Sequence, residues 1–157
     1  MRKDIGLYRG KRKDNGEWVE GYYSCVTDNY TPENRCYITA FKKLDNGEII
    51  LTGQFEVIPE TVGEYTGFPD KNSKKIFEGD YWVDTDDGEN DIFVVEFRNG
   101  QFCFAIYGIC GALMPYGYDE TAGGFGECDC VPMTDYNIDT IEVIGNIHDD
   151  PELLQNT

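Results

Sequence analysis

Short apolar runs separated by Gly, Asn and Asp recur along the chain. The segment "RCYITAF" alternates Cys36, Ile38 and Ala40 against Tyr37 and Thr39, which is the period of a half-buried β-strand. Asn-Gly pairs stand between apolar runs in "KDNGEW", "LDNGEI" and "FRNGQF". Because this pair supplies the positive φ angles of a tight hairpin, the pattern predicts an antiparallel, mainly β protein.

The same pattern predicts the individual elements. Strands are expected in "IGLYRG", "EWVEGYYSCV", "RCYITAF", "EIILTG", "QFEVI", "KIFEGDYWV" and "TIEVIGNIH", and "DIFVVEFRNGQFCFAIYGI" is the clearest hairpin. The segment "PETVGEYTGFPDKNSKK" is rich in Gly, Pro and Thr and is expected to be irregular. A short closing helix is predicted in "HDDPELLQ", with Pro151 at its first position. No repeat or linker divides the 157 residues, so a single domain over residues 1–157 is expected.

One stretch, "TGFPDKNSKKIFEGDYW", places Glu78-Gly79-Asp80 inside an apolar run. Glycine inside a strand marks a bulge or bend, because it alone adopts positive φ without steric cost. A bend at Gly79 would let a sheet curl, as small barrels require. Strand alternation predicts that Glu78 and Asp80 both point to solvent. The alternative interpretation is a carboxylate pair at a rim site.

Four segments together resemble a known family. "DKNSKKIFEGDYW" is similar to the D-x-N-G-K-x-I-[YF]-E-G-D signature of YopX-like proteins of phages and prophages. "YRGKRKDNGEWVEG", "VIPETVGEYTGFPDK" and "IEVIGNIHDDPELL" resemble that family's opening, middle and closing segments, in the same order. Ser73 departs from the family pattern, which often has Gly there, and suggests a different turn. Segment 108–133 has no counterpart among these motifs.

The resemblance implies a phage or prophage origin and a β-rich fold. The fold class expected is mainly β, with curled antiparallel sheets, an SH3-like barrel element and a short C-terminal helix. The resemblance implies no activity.

The charge of the chain is strongly acidic and unevenly distributed. The formal net charge is −17, yet residues 1–13 carry a net of +5, and no Lys or Arg follows Arg98. Such an acidic body repels phosphates, so nucleic-acid binding is not expected, although the basic opening "RKDIGLYRGKRK" could form a nucleic-acid arm. No run has the length of a membrane span and no signal peptide is evident, which predicts a cytoplasmic protein of the host cell with six free thiols.

Residues suited to catalysis or metal binding are few. His148 is the only histidine and Ser24 and Ser73 are the only serines, which leaves little material for a Ser-His-acid triad. A zinc site would need the Cys128-Asp129-Cys130 segment with Cys103, Cys110 or His148, but C-x-C is tighter than ordinary zinc spacing. "VDTDDGENDI" fails the EF-hand pattern, and "AGGFG" lacks the Lys of a phosphate loop. No catalytic residue, metal site or cofactor is therefore predicted.

Three functional hypotheses follow. The leading one is a non-enzymatic phage or prophage accessory protein that binds an unidentified protein partner, with homo-oligomer formation left open. It predicts an exposed apolar or aromatic patch. The candidate surface site consists of Glu78, Asp80, Asp84, Asp86, Asp87 and Glu89.

The second hypothesis is an acidic mimic of nucleic acid that inhibits a DNA-binding protein. It requires ordered spacing of Asp84, Asp86, Asp87, Glu89, Asp91, Asp119 and Glu120. The third is a hydrolase using Glu78 or Asp80, which requires two carboxylates within general acid–base reach in one cleft.

Overall fold

The computed structural model describes residues 6–26, 35–84, 91–107 and 130–154 of the chain. These residues form two antiparallel β-sheets, so the mainly β prediction is confirmed. The chain divides into two compact units, Met1–Gly67 and Phe68–Thr157, which are described separately below. The helical elements of the described part are short 3₁₀ turns, and none of them is long and apolar enough to cross a membrane.

The first unit is a curled antiparallel sheet. Its strands are β1 (Leu7–Lys11), β2 (Trp18–Val26), β3 (Arg35–Lys43), β4 (Ile49–Val57) and β5 (Gly63–Pro69), in the order β4-β3-β2-β1-β5. The side chains that alternation placed on the inner face of β3 are buried, and Cys36 and Ile38 form the core with Val57. The two strands predicted in residues 48–58 are one strand, β4, which has a register shift opposite Ala40/Phe41.

A segment predicted to be irregular is largely ordered. Pro59–Thr61 forms a 3₁₀ turn, and β5 follows it directly. Buried Thr61 fixes this turn, because its Oγ1 accepts a hydrogen bond from the Lys11 backbone N–H at 2.9 Å and donates to the Ile58 carbonyl at 2.7 Å. The prediction was wrong here because composition indicated a loop, whereas pairing with β1 makes β5 a strand.

The second unit holds the other sheet. It contains β6 (Lys75–Phe77), β7 (Asp80–Asp84), β8 (Asp91–Arg98), β9 (Gln101–Tyr107), β10 (Cys130–Pro132) and β11 (Gly145–Asn146). The last five strands form a sheet in the order β10-β9-β8-β7-β11. The predicted β8–β9 hairpin is confirmed, with φ of +52° at Asn99 and +82° at Gly100.

Aromatic rings fill the core of the second unit. The Trp82 ring stacks on the Phe93 ring with centroids 4.4 Å apart, and both rings meet Phe104 and Tyr136 edge to face. Such rings dominate core energetics because each buries a large apolar area. The remaining buried residues of this core are Ile76, Val95, Met133, Ile141 and Val143.

Two finer fold predictions are not confirmed. The first sheet curls far enough for Arg12 to bridge Val57, but neither sheet closes into a barrel over the described residues. The predicted C-terminal helix is a 3₁₀ turn, Pro151–Leu154, and the predicted last strand is reduced to Gly145–Asn146.

The turn before β6 has a serine in a conformation that is unusual for a residue with a side chain. Ser73 has φ of +65°, the left-handed conformation that glycine adopts most easily.

Candidate functional site

The Glu78-Gly79-Asp80 segment turns the chain between β6 and β7. Gly79 has φ of +84°, which confirms the predicted bend. Its N–H donates to the Val95 carbonyl at 2.8 Å, and its own carbonyl accepts from the Ile147 N–H at 3.0 Å. Space around the glycine is also tight, because an added Cβ would lie 3.2 Å from Nδ2 of Asn146.

Asp80 is not a solvated acid. It is 1% exposed, and one carboxylate oxygen accepts from the Phe77 backbone N–H at 2.8 Å while the other accepts from Asn146 Nδ2 at 3.4 Å. Glu78 is half-buried. The prediction that both acids point to solvent is wrong, because the bend at Gly79 ends the alternation on which it was based. Asp80 instead caps its own turn.

Asp70 is a second buried carboxylate with a structural role. It accepts hydrogen bonds from the backbone N–H groups of Asn72 (2.8 Å), Lys74 (2.9 Å) and Val143 (3.1 Å). Burial opposes ionisation of Asp70, but these three donors outweigh it and hold the pKa of the carboxyl below its usual range. Asp70 therefore ties the turn before β6 to the segment before β11.

Asn146 joins these contacts from the closing segment. Its backbone carbonyl accepts from the N–H groups of Asp149 and Asp150, each at 3.0 Å, and its Oδ1 accepts from the His148 N–H at 2.9 Å. Asp150 in turn accepts from the Tyr81 hydroxyl at 3.2 Å. Burial first, and then the neighbouring Asp150 charge, raise the pKa of Tyr81. Two of the four segments with family-like motifs, residues 70–82 and 141–154, thus hold each other in place.

The acids of the candidate surface site are not gathered at one point. Asp80 and Asp84 lie at opposite ends of β7, on the order of 13 Å apart at the usual strand rise. Asp84 stands directly opposite Asp91 in the β7–β8 ladder, so the structure does bring these two carboxylates together. Asp86, Asp87 and Glu89 lie outside the described residues, as do Asp119 and Glu120 of the mimic hypothesis.

The described cysteines differ in state. Cys103 is disulfide-bonded, so the expectation that all six cysteines are free thiols is wrong for it, and it cannot supply a thiolate to a metal. That expectation was based only on the predicted cytoplasmic location, which does not indicate which cysteines lie close together in the fold. Cys25 and Cys36 are free. Burial raises the pKa of the Cys36 thiol, which makes it a weaker nucleophile.

The described side chains contain no group of three His, Cys, Asp or Glu residues that could hold a metal ion.

A feature that the sequence analysis missed is an exposed apolar ribbon, residues 41–51. It consists of Phe41–Lys43 of β3, the turn 44–48, and Ile49–Leu51 of β4. β2 pairs with β3 only as far as the Tyr22–Thr39 pair, so beyond Ala40 the described ladder has two strands. Phe41, Ile49, Ile50 and Leu51 are between 42% and 69% exposed. The consecutive apolar residues "IIL" were the available signal, since a strand with one covered face would alternate.

A cleft of about 570 Å³ lies in the second unit. Its lining includes Lys71, Trp82, Asp84, Tyr136, Thr140 and Glu142. Lys71 and Glu142 form an ion pair at 2.5 Å. Trp82 is 9% exposed, and its indole Nε1 has no hydrogen-bond partner in the described part of the chain. The cleft therefore combines an aromatic wall with carboxylates, one of which is already paired with Lys71.

Comparison with known proteins decides the family. A family model described as YopX protein matches residues 7–155, nearly the whole chain and all four motif segments. The chain belongs to the YopX family. A search of curated proteins gives no match. Among solved structures, this YopX family member is similar to the crystal structure of protein EF1440 from Enterococcus faecalis, with a TM-score of 0.49 and 20% identity over 94% of this chain and 96% of that one.

Proposed function

We propose that this YopX family protein is a non-enzymatic accessory protein of a phage or prophage that binds a protein partner through the exposed ribbon. The observation that carries the proposal is the exposure of Phe41, Ile49, Ile50 and Leu51 on a two-stranded extension. An isolated two-stranded hairpin is marginal in water, and exposed contiguous apolar residues mark interaction sites. An incoming apolar surface would cover the ribbon and stabilise it.

The ribbon has a defined face for such a partner. Leu51 stands opposite Phe41 in the register, and Ile49 lies two residues along on the same side of the strand. The Phe41 ring meets the Tyr22 ring edge to face at 5.9 Å, which extends the stripe onto β2. Aromatic and aliphatic side chains in one stripe form the kind of surface that anchors interface hot spots.

The charge of the ribbon favours apolar over electrostatic recognition. Lys42 and Lys43 are balanced by Asp45 and Glu48, so the ribbon is neutral within a chain of net charge −17. Salt screens exposed charges but does not weaken apolar burial. Binding through the ribbon is therefore expected to survive high salt. A second copy of the chain is an alternative occupant, which the experiment separates.

The experiment is affinity capture with a tagged chain from host lysate, with and without phage infection, at low and high salt. Wild type is compared with Leu51→Lys and with the matched control Phe97→Lys, because Phe97 is 51% exposed in the other unit. We expect one salt-resistant protein that Leu51→Lys loses roughly tenfold or more and Phe97→Lys retains. Equal capture by all three chains would contradict the proposal. Recovery of the chain alone would identify self-association.

The acidic mimic is the second candidate function. The Asp84–Asp91 pair supports it, because two like charges directly opposite each other in a ladder destabilise the sheet. A functional role for the pair would explain why the chain has it. In the same capture, DNA-binding proteins that elute as salt rises and bind Leu51→Lys normally would favour the mimic over the ribbon.

We further propose that the protein, which we assign to a phage or prophage, acts in the cytoplasm of the host cell. We also assign the SH3-like element to the first unit, which the Arg12–Val57 bridge and the hydrogen bond from the Lys13 N–H to the Glu56 carbonyl at 2.9 Å support.

A further inference from the structure

Two thiols of the first unit face each other across a strand ladder. Cys25 of β2 stands directly opposite Cys36 of β3, and their Sγ atoms are 2.9 Å apart. Residues paired directly across an antiparallel ladder have Cα atoms roughly 4.5–5.5 Å apart, which is within the range that a disulfide spans. Because a disulfide bond is about 2.05 Å long, the two sulfurs need to approach by about 1 Å. The pair can therefore form a disulfide without a change in strand register.

The two thiols differ in their access to solvent. Cys25 is exposed, whereas Cys36 is 2% exposed and packs with Ile38 and Val57 in the core of the first unit. Because the reactivity of a thiol follows its exposure, a dissolved oxidant reaches Cys25 first. The buried Cys36 thiol then reacts through Cys25 rather than with the oxidant itself.

The hydroxyl of Tyr23 prepares the buried thiol for this reaction. Tyr23 lies two residues before Cys25, on the same face of β2, and its hydroxyl donates a hydrogen bond to Cys36 Sγ at 3.0 Å. Burial raises the pKa of the Cys36 thiol, and this hydrogen bond opposes the rise. The hydrogen bond therefore stabilises the Cys36 thiolate, which is the form that attacks a disulfide sulfur.

We infer that Cys25 and Cys36 are a reversible disulfide site, which a small-molecule disulfide such as oxidised glutathione converts from thiols to a disulfide. The Cys25 thiolate attacks one sulfur of the small disulfide, forms a mixed disulfide and releases one small thiol. The Cys36 thiolate then attacks Cys25 Sγ, which forms the protein disulfide and releases the second small thiol. The two protein thiols supply the two electrons and two protons that convert one small disulfide into two thiols. The reverse exchange restores both protein thiols in a reducing solution.

The disulfide links β2 to β3 covalently and closes residues 26–35 into a loop. A link of this kind stabilises a fold because it restricts the unfolded chain. The Cys25–Cys36 pair lies toward the end of the β2–β3 ladder that is remote from the Tyr22–Thr39 pair, beyond which the exposed ribbon begins. The inference is therefore independent of the proposed function. A reducing cytoplasm keeps the pair as thiols, and an oxidised glutathione pool converts it.

The test is a redox titration of the folded full chain in glutathione buffers, followed by alkylation of the remaining thiols and mass spectrometry of unreduced tryptic peptides. Trypsin cleaves after Arg35, so Cys25 and Cys36 fall in separate peptides that a disulfide would join. We expect the joined peptides in the oxidised buffer and their loss in the reduced buffer. A Cys25 that is linked to another cysteine, or that carries glutathione without closing on Cys36, would overturn the inference. Joined peptides that persist in the reduced buffer would overturn its reversibility.

Urea unfolding of the oxidised and reduced chains tests the effect of the link on stability. The oxidised wild type is expected to unfold at a higher urea concentration than the reduced one. Cys25→Ser is the control, because its exposed position tolerates the change and the variant cannot form the link. The same rise in Cys25→Ser would assign the stabilisation to a different disulfide. The peptide map of the wild type decides the linkage even where a variant alters the fold.

A pair of tyrosine variants tests the role of Tyr23 as a positioning residue. Tyr23→Phe should slow closure of the Cys25 mixed disulfide roughly threefold or more and shift its rate–pH profile to higher pH, because the Cys36 thiolate loses a donor. Tyr22→Phe is the matched control, since Tyr22 is the neighbouring residue on β2 and is 52% exposed. Equal closure rates and equal pH profiles in the two variants would overturn the role of Tyr23.

Discussion

Asp70 and Asp80 show how a motif carboxylate can serve the fold rather than chemistry. Each accepts hydrogen bonds from backbone or amide donors within the second unit, and each is at least 95% buried. A hydrolase using Asp80 would need its oxygens accessible to a substrate, and both are engaged by donors from Phe77 and Asn146. At the residue scale the motif therefore maintains the structure.

The Asp70 carboxyl should make stability depend on acidic pH. Because its pKa is lower in the folded chain than the ordinary value near 3.9, its ionised form stabilises the fold above about pH 4. That contribution is lost as pH falls through the folded-state pKa. Urea unfolding of wild type and Asp70→Asn at pH 7, 4 and 3 should show a difference in unfolding free energy that shrinks as pH falls. A difference independent of pH would contradict the assignment.

Gly79 should be sensitive for two separable reasons. Gly79→Ala strains a φ of +84° and also crowds Asn146, whereas Gly47→Ala strains a φ of +88° in open space. The backbone term is roughly 1–2 kcal/mol in each variant. We expect Gly79→Ala to lose more unfolding free energy than Gly47→Ala in chemical denaturation. Equal losses would show that the contact with Asn146 does not constrain the turn.

The sequence predicted the residue-scale features unevenly. The positive φ of Gly79 was predictable, because a glycine within an apolar run often marks a bend in the strand. The burial of Asp80 was not, since its donors come from Phe77 and from Asn146, which is 66 residues away in sequence. Alternation cannot indicate a cap formed by a distant segment.

At the scale of elements, identical turn signals give different environments. The Asn-Gly pair at 99–100 joins strands of a five-stranded sheet with a buried face, while the pair at 46–47 ends the exposed ribbon. The pattern therefore predicted the hairpins but not which of them would be covered. Covering depends on where β2 stops pairing with β3, which is at the Tyr22–Thr39 pair.

Hydrogen exchange should separate the two hairpins. The exposed ribbon has two described strands and no buried face, so its amides should open locally more often than those of β8 and β9. We expect exchange over residues 41–43 and 49–51 to be roughly tenfold or more faster than over 93–95 and 103–105. Mass spectrometry of peptic fragments measures both regions together. Equal protection in the free chain would show that the ribbon is covered, for example by self-association.

At the scale of the whole molecule, the residues that maintain the fold differ from those proposed to recognise a partner. Two of the segments that carry YopX family motifs, residues 70–82 and 141–154, hold the second unit together through buried carboxylates. The exposed ribbon is a surface that the described fold leaves uncovered. The family was predictable from the sequence because its motifs are turns and caps with fixed residue requirements. The exposed ribbon was not predictable in the same way, because the exposure of a strand depends on which other strands pair with it.

Site-directed photo-crosslinking in phage-infected host cells shows directly whether a protein partner contacts the exposed ribbon. A benzoylphenylalanine is placed at Ile49, which is 69% exposed, and at Phe97 as the matched exposed control. Recognition through the exposed ribbon predicts one discrete protein adduct from position 49 and no such adduct from position 97. No adduct at position 49, or the same adducts at both positions, would contradict recognition through the exposed ribbon.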